Sequence, residues 1–164
     1  MTIAAQFSQI AQTLLKRARA YYGDNLMTFA VYGSVARGAA TVESDIDLLL
    51  VARDLPPGRI PRIDAFTDHV ENPPLAPLNF EDRKYPVRVS AVIKTPEEVA
   101  MGSLLFLDMT QDCLLMQDKG DFFANYLKGL KAKMHAWGSE KRYHAGGYYW
   151  LLKPDLKPGE KIVL

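Results

Sequence analysis

Four consecutive apolar residues, Leu48-Leu49-Leu50-Val51, constrain the fold of this chain more than any other feature. Strand side chains alternate between the two faces of a sheet, so a strand apolar at every position belongs in the middle of a sheet. The run is entered through Asp45-Ile46-Asp47. Two carboxylates spaced by two leave the same face and concentrate negative charge at one end of an apolar element. Such a pair is costly unless a cation neutralises it.

Around this strand, hydrophobic periodicity lays out an α/β chain. Ile3, Phe7, Ile10, Leu14, Ala18 and Tyr21 predict a helix from about Thr2 to Tyr22. Lys16, Arg17 and Arg19 suit the dipole of its later turns, and Gly23-Asp24-Asn25 ends it. Met27 to Tyr32 reads as a buried strand ending at Gly33, with one helical turn over Ser34 to Arg37 and a second strand from Asp45 to Val51. Most prolines fall between Leu55 and Pro77, a surface excursion around a helical segment near Ile60 to Val70. Val87, Val89, Ala91 and Ile93 alternate with Arg88, Ser90, Val92 and Lys94, a third strand. Thr95-Pro96-Glu97-Glu98 supplies a cap, a first-turn proline and first-turn acids, which together start a helix. Leu104 to Met109 reads as helix and Cys113 to Met116 as strand. Asp121 opens a helix with its stripe at Phe123, Leu127, Leu130, Met134 and Trp137. The expected architecture is α/β (α+β), a small mixed sheet with helices packed mainly on one face. It forms one domain over 1–164, with an ordered extension from about 138.

A length of 164 residues fits one compact domain, and 48% hydrophobic with 24% charged residues excludes disordered and collagen-like chains. The net charge of +1 supplies no global field towards nucleic acid or an anionic membrane, so any polyanion binding is local. No apolar run approaches the ~20 residues that span a bilayer, and no leader pattern opens the chain, so a cytoplasmic location is expected. The single cysteine, Cys113, precludes an intramolecular disulfide and reads as a buried structural thiol. His69, His135 and His144 lack metal-ligand spacing.

The chemistry concentrates in Tyr32-Gly33-Ser34-Val35-Ala36-Arg37-Gly38 and, with ten residues between it and Ser34, Asp45-Ile46-Asp47. A glycine after a buried strand lets the backbone turn sharply and approach a ligand. Ser34 offers a hydroxyl and free backbone N–H groups at the start of a helical turn, where phosphate oxygens can dock. Asp45 and Asp47 can share Mg²⁺, a hard cation that takes carboxylate and phosphate oxygens. Either piece alone is ordinary turn or edge chemistry; the combination at this spacing is specific.

From Phe29 to Val51 the sequence resembles the signature of the nucleotidyltransferase superfamily that includes DNA polymerase β, especially its minimal stand-alone prokaryotic members. The tail Tyr149-Trp150-Leu151-Leu152-Lys153-Pro154-Asp155 resembles the ending of a subgroup of these. The resemblance implies a polymerase-β-like fold and Mg²⁺-dependent transfer of a nucleotidyl group to an acceptor hydroxyl, with AMP from ATP preferred. It places the triphosphate on Gly33 and Ser34 and the metal on the catalytic pair Asp45 and Asp47. Arg37 would contact phosphate or fix the loop by a salt bridge. Minimal members often act on a small helical partner protein, a toxin of the HEPN class. The rival readings are a catalytically weak nucleotide-binding module, an antitoxin acting by contact, and a transferase for a small molecule or an RNA end.

Active members of the superfamily usually carry a third carboxylate on a later strand, where it can accept the proton of the attacking hydroxyl. Here Tyr85 to Lys94 contains no acid, and Arg88 or Ser90 takes the place. Glu81, Asp82, Asp108 and Asp112 remain in the chain as other sources, while Glu97 and Glu98 are explained as helix N-terminal charges. Lys119, Lys128, Lys131, Lys133, Lys141 and Arg142 make the last third basic, as a solvated face or as a surface for RNA or an acidic partner. Tyr143, Tyr148, Tyr149 and Trp150 fit core packing, a homo-oligomer surface or base stacking.

Overall fold

A computed structural model describes residues 2–72 and 87–164. Glu81, Asp82, Tyr85 and Pro86 lie outside the described residues. The first helix, α1 (Ile3–Tyr22), starts where the Thr2 hydroxyl accepts the Ala5 N–H at 3.2 Å and stops at Gly23, with φ +54°. Four strands follow: β1 (Leu26–Tyr32), β2 (Ile46–Ala52), β3 (Val89–Lys94) and β4 (Cys113–Asp118). They form one mixed sheet in the order β3-β2-β1-β4, with β1 antiparallel to both β2 and β4, and β2 parallel to β3.

The apolar run on β2 behaves as its composition demands. Leu48, Leu49 and Leu50 are fully buried. Burying such a side chain contributes about 1.5–3 kcal/mol relative to leaving it exposed. Leu48 and Leu50 join Phe7, Ile10 and Leu14 of α1, together with Phe66 of α3 (Arg59–Phe66). Leu49 and Val51 face the opposite way, towards Val99 of α4 (Pro96–Ala100), Phe106 of α5 (Leu105–Met109) and Phe123 and Leu130 of α6 (Phe122–Trp137). The mixed α+β sheet is as the sequence implies, but the helices divide between both faces instead of packing mainly on one. The physical reason lies in β2 itself, since a strand apolar on both sides is stable only with cover on both.

The connections fix which end of the sheet carries chemistry. Tyr32 at the end of β1 pairs with Asp47 near the start of β2 and with Cys113 at the start of β4, and Asp47 pairs in turn with Ser90 on β3, so the four stand in one row. The short helix α2 (Gly33–Ala36) leaves from that end. At the far end Val51 pairs with Lys94, and β3 runs directly into α4. There Thr95 and Glu98 form a reciprocal capping box, so the Glu97 and Glu98 carboxylates stand at the opposite end of β3 from Asp47.

A feature absent from the sequence reading lies beyond α6. β5 (Glu140–His144) and β6 (Gly147–Leu151) form a separate antiparallel hairpin whose turn places Ala145 at φ +47° and Gly146 at φ +81°. Two successive left-handed residues make the turn whose twist matches a two-residue hairpin loop. Alanine at the first position hides the signal that Asn-Gly would give.

Candidate active site

The site is built from the ends of three adjacent strands. β1 delivers its last residue, Tyr32, and the chain then turns at Gly33, with φ +72°. A Cβ at Gly33 would collide with the Asp47 Oδ2 atom and sit 3.1 Å from Cγ, so only glycine lets the turn close over this carboxylate. α2 is tied by the Arg37 N–H to the Gly33 carbonyl at 3.1 Å and the Ala39 N–H to the Ser34 carbonyl at 3.0 Å. The loop into β2 is locked by Thr41 and Ser44. The Thr41 N–H donates to Ser44 Oγ at 2.9 Å, and the Ser44 N–H donates back to the Thr41 carbonyl at 3.1 Å. Asp45 follows this turn directly, immediately before the start of β2.

Electrostatics show how tightly the groups converge. The Asp47 carboxyl is pushed above its ordinary value, first by burial and then by the Asp45 charge, while Arg37 and a hydrogen bond from Ser90 pull it back. The Tyr32 phenol is pushed up to about 12 by burial and then by the Asp47 charge. Gly33, Arg37, Asp45, Asp47 and Ser90 therefore occupy one end of the sheet, and Ser34 lies in the turn that follows Gly33. A half-buried carboxylate crowded by a second carboxylate is the condition under which a bound cation is stabilising.

The parallel register places Ser90 directly beside Asp47. Among the described residues, no group of three or more metal-ligating His, Cys, Asp or Glu side chains is present. Asp108 is engaged elsewhere: its Oδ2 accepts the Tyr148 hydroxyl at 2.9 Å and its Oδ1 accepts the Trp150 indole N–H at 3.0 Å. The Cys113 thiol is pushed up to about 12, chiefly by burial, and stays protonated, as a structural thiol should. His69 stacks on Tyr21 with ring centroids 4.2 Å apart. Tyr32 is the neighbour of Asp47 that the sequence reading missed; its place as the residue before Gly33 was the available signal.

Comparison with known proteins gives the family of the chain. The sequence profile of the nucleotidyltransferase domain family matches residues 12–103. A protein of Methanocaldococcus jannaschii that carries the provisional name protein adenylyltransferase is 30% identical over 126 residues, which cover 76% of this chain and 80% of that one. Among solved structures, a chain of a toxin–antitoxin complex with AMP-PNP is 14% identical, covers 78% of this chain and 90% of its own, and has a TM-score of 0.49. A chain from the complex of the tri-AMPylated Shewanella oneidensis HEPN toxin with its MNT antitoxin is 13% identical, covers 80% and 89%, and has a TM-score of 0.48. These two structural likenesses are too distant to carry an argument about activity.

Proposed function

The chain belongs to the nucleotidyltransferase domain family, and from that premise we propose that it transfers AMP from Mg²⁺–ATP to a hydroxyl on a partner protein. The observation that carries the reading is the closure of Gly33 over Asp47 at the sheet end that also gathers Asp45 and Arg37. The protein acceptor is supported by the name of the M. jannaschii relative. A small helical partner of the HEPN class remains the preferred acceptor on the resemblance given above.

The residues fit the metal. Asp45 and Asp47 bring two hard oxygen donors to one strand end, where burial and then the Asp45 charge already raise the Asp47 carboxyl. When bound, Mg²⁺ would supply charge neutralisation at the phosphates. The chain's own groups do the remaining work. Gly33 admits the triphosphate close to the backbone, and the Ser34 hydroxyl and the α2 turn offer donors to its oxygens. Arg37 adds the positive charge that already acts on Asp47. The acceptor oxygen attacks the α-phosphorus, pyrophosphate leaves, and the acceptor proton goes to solvent or to a carboxylate outside the described cluster, because Ser90, beside Asp47, cannot take it.

Ser90 also favours a second reading, in which the site holds nucleotide and the protein acts on its partner by contact. Pyrophosphate release from Mg²⁺–ATP, measured with calorimetric ATP binding, separates the two. Release that vanishes in the Asp45→Asn/Asp47→Asn variant supports transfer. Binding without release, with acceptors present, sinks it.

A further inference from the structure

We propose that the cavity between α3 and the outer edge of β3 is a second anion site, which holds a phosphoryl dianion, either free phosphate or the terminal group of a small phosphate monoester. The inference goes beyond the transferase reading and does not depend on it.

The cavity has a volume of about 260 Å³, and its walls include Gly58, Arg59, Arg62, Ala91, Ile93 and Lys94. At about 30 Å³ for each water, it has the room of roughly eight waters, which suits a small molecule. It lies away from the candidate active site on two counts. Ala91 and Ile93 pack with the core on the α1 side of the sheet, whereas the Asp47 side chain leaves β2 on the face of Leu49 and Val51. Lys94 stands four residues along β3 from Ser90, the neighbour of Asp47, a separation of about 13 Å.

Arg62 points to a ligand. The residue is only 8% exposed, and three hydrogen bonds hold its guanidinium in place. Nε donates to the Pro56 carbonyl at 2.7 Å, while Nη1 donates to Glu98 at 2.6 Å and to the Ile93 carbonyl at 3.3 Å. Among the described residues nothing accepts from Nη2, yet Nη2 is not sealed inside the protein. Its two N–H donors therefore open on the cavity that Arg62 lines.

The other walls add donors and charge. The Ile93 carbonyl faces Arg62, so the backbone groups of Ile93, and by alternation those of Ala91 and Val89, point away from β2. The Val89 backbone is already hydrogen-bonded to a carboxylate, that of Glu71. Ala91 and Ile93 repeat this outward geometry in the cavity wall. α3 starts at Gly58 without a side-chain cap, so its positive end adds to the same wall. Arg59, Arg62 and Lys94 share the lining with one carboxylate, Glu98, which the Arg62 guanidinium and the Thr95 N–H engage. Setting Arg62 against Glu98 leaves Arg59 and Lys94, neither of which makes an ion pair among the described residues. A phosphoryl dianion matches those two charges and has oxygens enough for the guanidinium and the backbone donors together, which a carboxylate lacks.

The test uses the intact protein in Tris chloride with EDTA, so that no Mg²⁺ loads the nucleotide site. Inorganic phosphate, glycerol phosphate, glycerol and succinate are titrated by calorimetry and followed in amide NMR spectra. The proteins are the wild type, Arg37→Gln, and Arg59→Gln/Lys94→Gln, which leaves the Arg62–Glu98 pair intact. Both phosphates should bind, succinate more weakly and glycerol not at all. The Ala91 and Ile93 amide signals should move while those of Tyr32 and Asp47 stay. Arg59→Gln/Lys94→Gln should lose about tenfold in phosphate affinity, or about 1.4 kcal/mol, and Arg37→Gln should lose none. Tighter binding of glycerol phosphate than of inorganic phosphate assigns the monoester; equal or weaker binding assigns the free ion. The site is overturned by a wild type that binds no phosphate, or by unchanged affinity in Arg59→Gln/Lys94→Gln. Loss of phosphate binding in Arg37→Gln, with movement of the Tyr32 and Asp47 signals, overturns it too by placing the anion at the nucleotide site. Succinate binding as tight as phosphate overturns the phosphoryl assignment. AMP transfer is judged separately, by pyrophosphate release.

Discussion

Replacing Gly33 by alanine tests the geometry of the site most directly, because the structure separates its two costs. The first is conformational: Gly33 has φ +72°, and an L-residue with a Cβ loses about 1–2 kcal/mol there. The second is a collision with the Asp47 carboxylate, whose Cγ would lie 3.1 Å from the new carbon. Asp47 must swing away and give up its hydrogen bond from Ser90, about another 1 kcal/mol. The sum, about 2–3 kcal/mol, corresponds to a fall of about 5–10 °C in melting temperature for a domain of this size. Displacing the carboxylate by about 1 Å should cost about 100-fold in transfer rate. The collision part can be isolated in the Asp47→Ala background, where only a Cβ at 3.4 Å remains, an ordinary contact. Gly33→Ala should then cost only the conformational part, giving a coupling energy of about 1 kcal/mol in a double-mutant cycle by urea denaturation. Equal costs in both backgrounds, with Mg²⁺–ATP binding unchanged by Gly33→Ala, would refute the packing of this glycine on Asp47.

Mg²⁺ with ATP should raise the melting temperature of the wild type and leave that of Asp47→Asn nearly unmoved; an equal rise in both would remove Asp47 from the metal site. Glu98→Gln should destabilise by about 1–2 kcal/mol, discounted for the half-exposed carboxylate, because Arg62, only 8% exposed, loses a partner at 2.6 Å. The Glu98 carboxyl is held below its ordinary 4.5, first by the hydrogen bond from Arg62. That stabilisation is therefore present above pH 4.5 and lost as pH falls through the lowered native value, and urea titrations of wild type and variant should converge in acid. Asp108→Asn should leave Tyr148, Trp150 and Lys141 competing for one amide oxygen, and hydrogen exchange should quicken across 140–151 while β1 and β2 stay protected. With no carboxylate on β3, transfer to a tyrosine acceptor should accelerate with pH towards the phenol pKa near about 10, and Ser90→Asp should flatten that profile. A wild-type plateau below neutrality would reveal another base.

The parts of the fold that could be read in advance are those where local chemistry agrees with tertiary need. Thr2 and Gly23 bound α1, Thr95 and Glu98 open α4, and Phe123, Leu130 and Met134 line the buried side of α6. That the candidate site residues would lie close together was legible for the same reason, since Gly33, Ser34, Asp45 and Asp47 fall within one stretch joined by a short turn. What stayed hidden depends on pairing between distant segments. The sequence left Ser90 or Arg88 for the third carboxylate's place, and only the parallel register of β2 and β3 shows that Ser90 is the one beside Asp47. Nothing local says that Arg62 will be buried, because its carboxylate partner lies on a helix 36 residues away. The hairpin was hidden because its turn uses Ala145-Gly146 and its aromatics suit core and surface equally.

Ser90 also links the energetics of the site to its selectivity. Asp47 already carries the cost of burial and of the Asp45 charge, and a third carboxylate at position 90 would add to the repulsion while metal is absent. A serine there relieves that repulsion and donates a hydrogen bond, so the two-acid site is the cheaper one to fold. It is also the poorer one for accepting a proton. Among the described residues no third carboxylate joins the pair, and with the pair alone catalysis depends more heavily on holding the acceptor oxygen in line, since orientation can supply several kcal/mol of the barrier. A site of this kind would discriminate among hydroxyls by how they are presented before it discriminates by how readily they ionise.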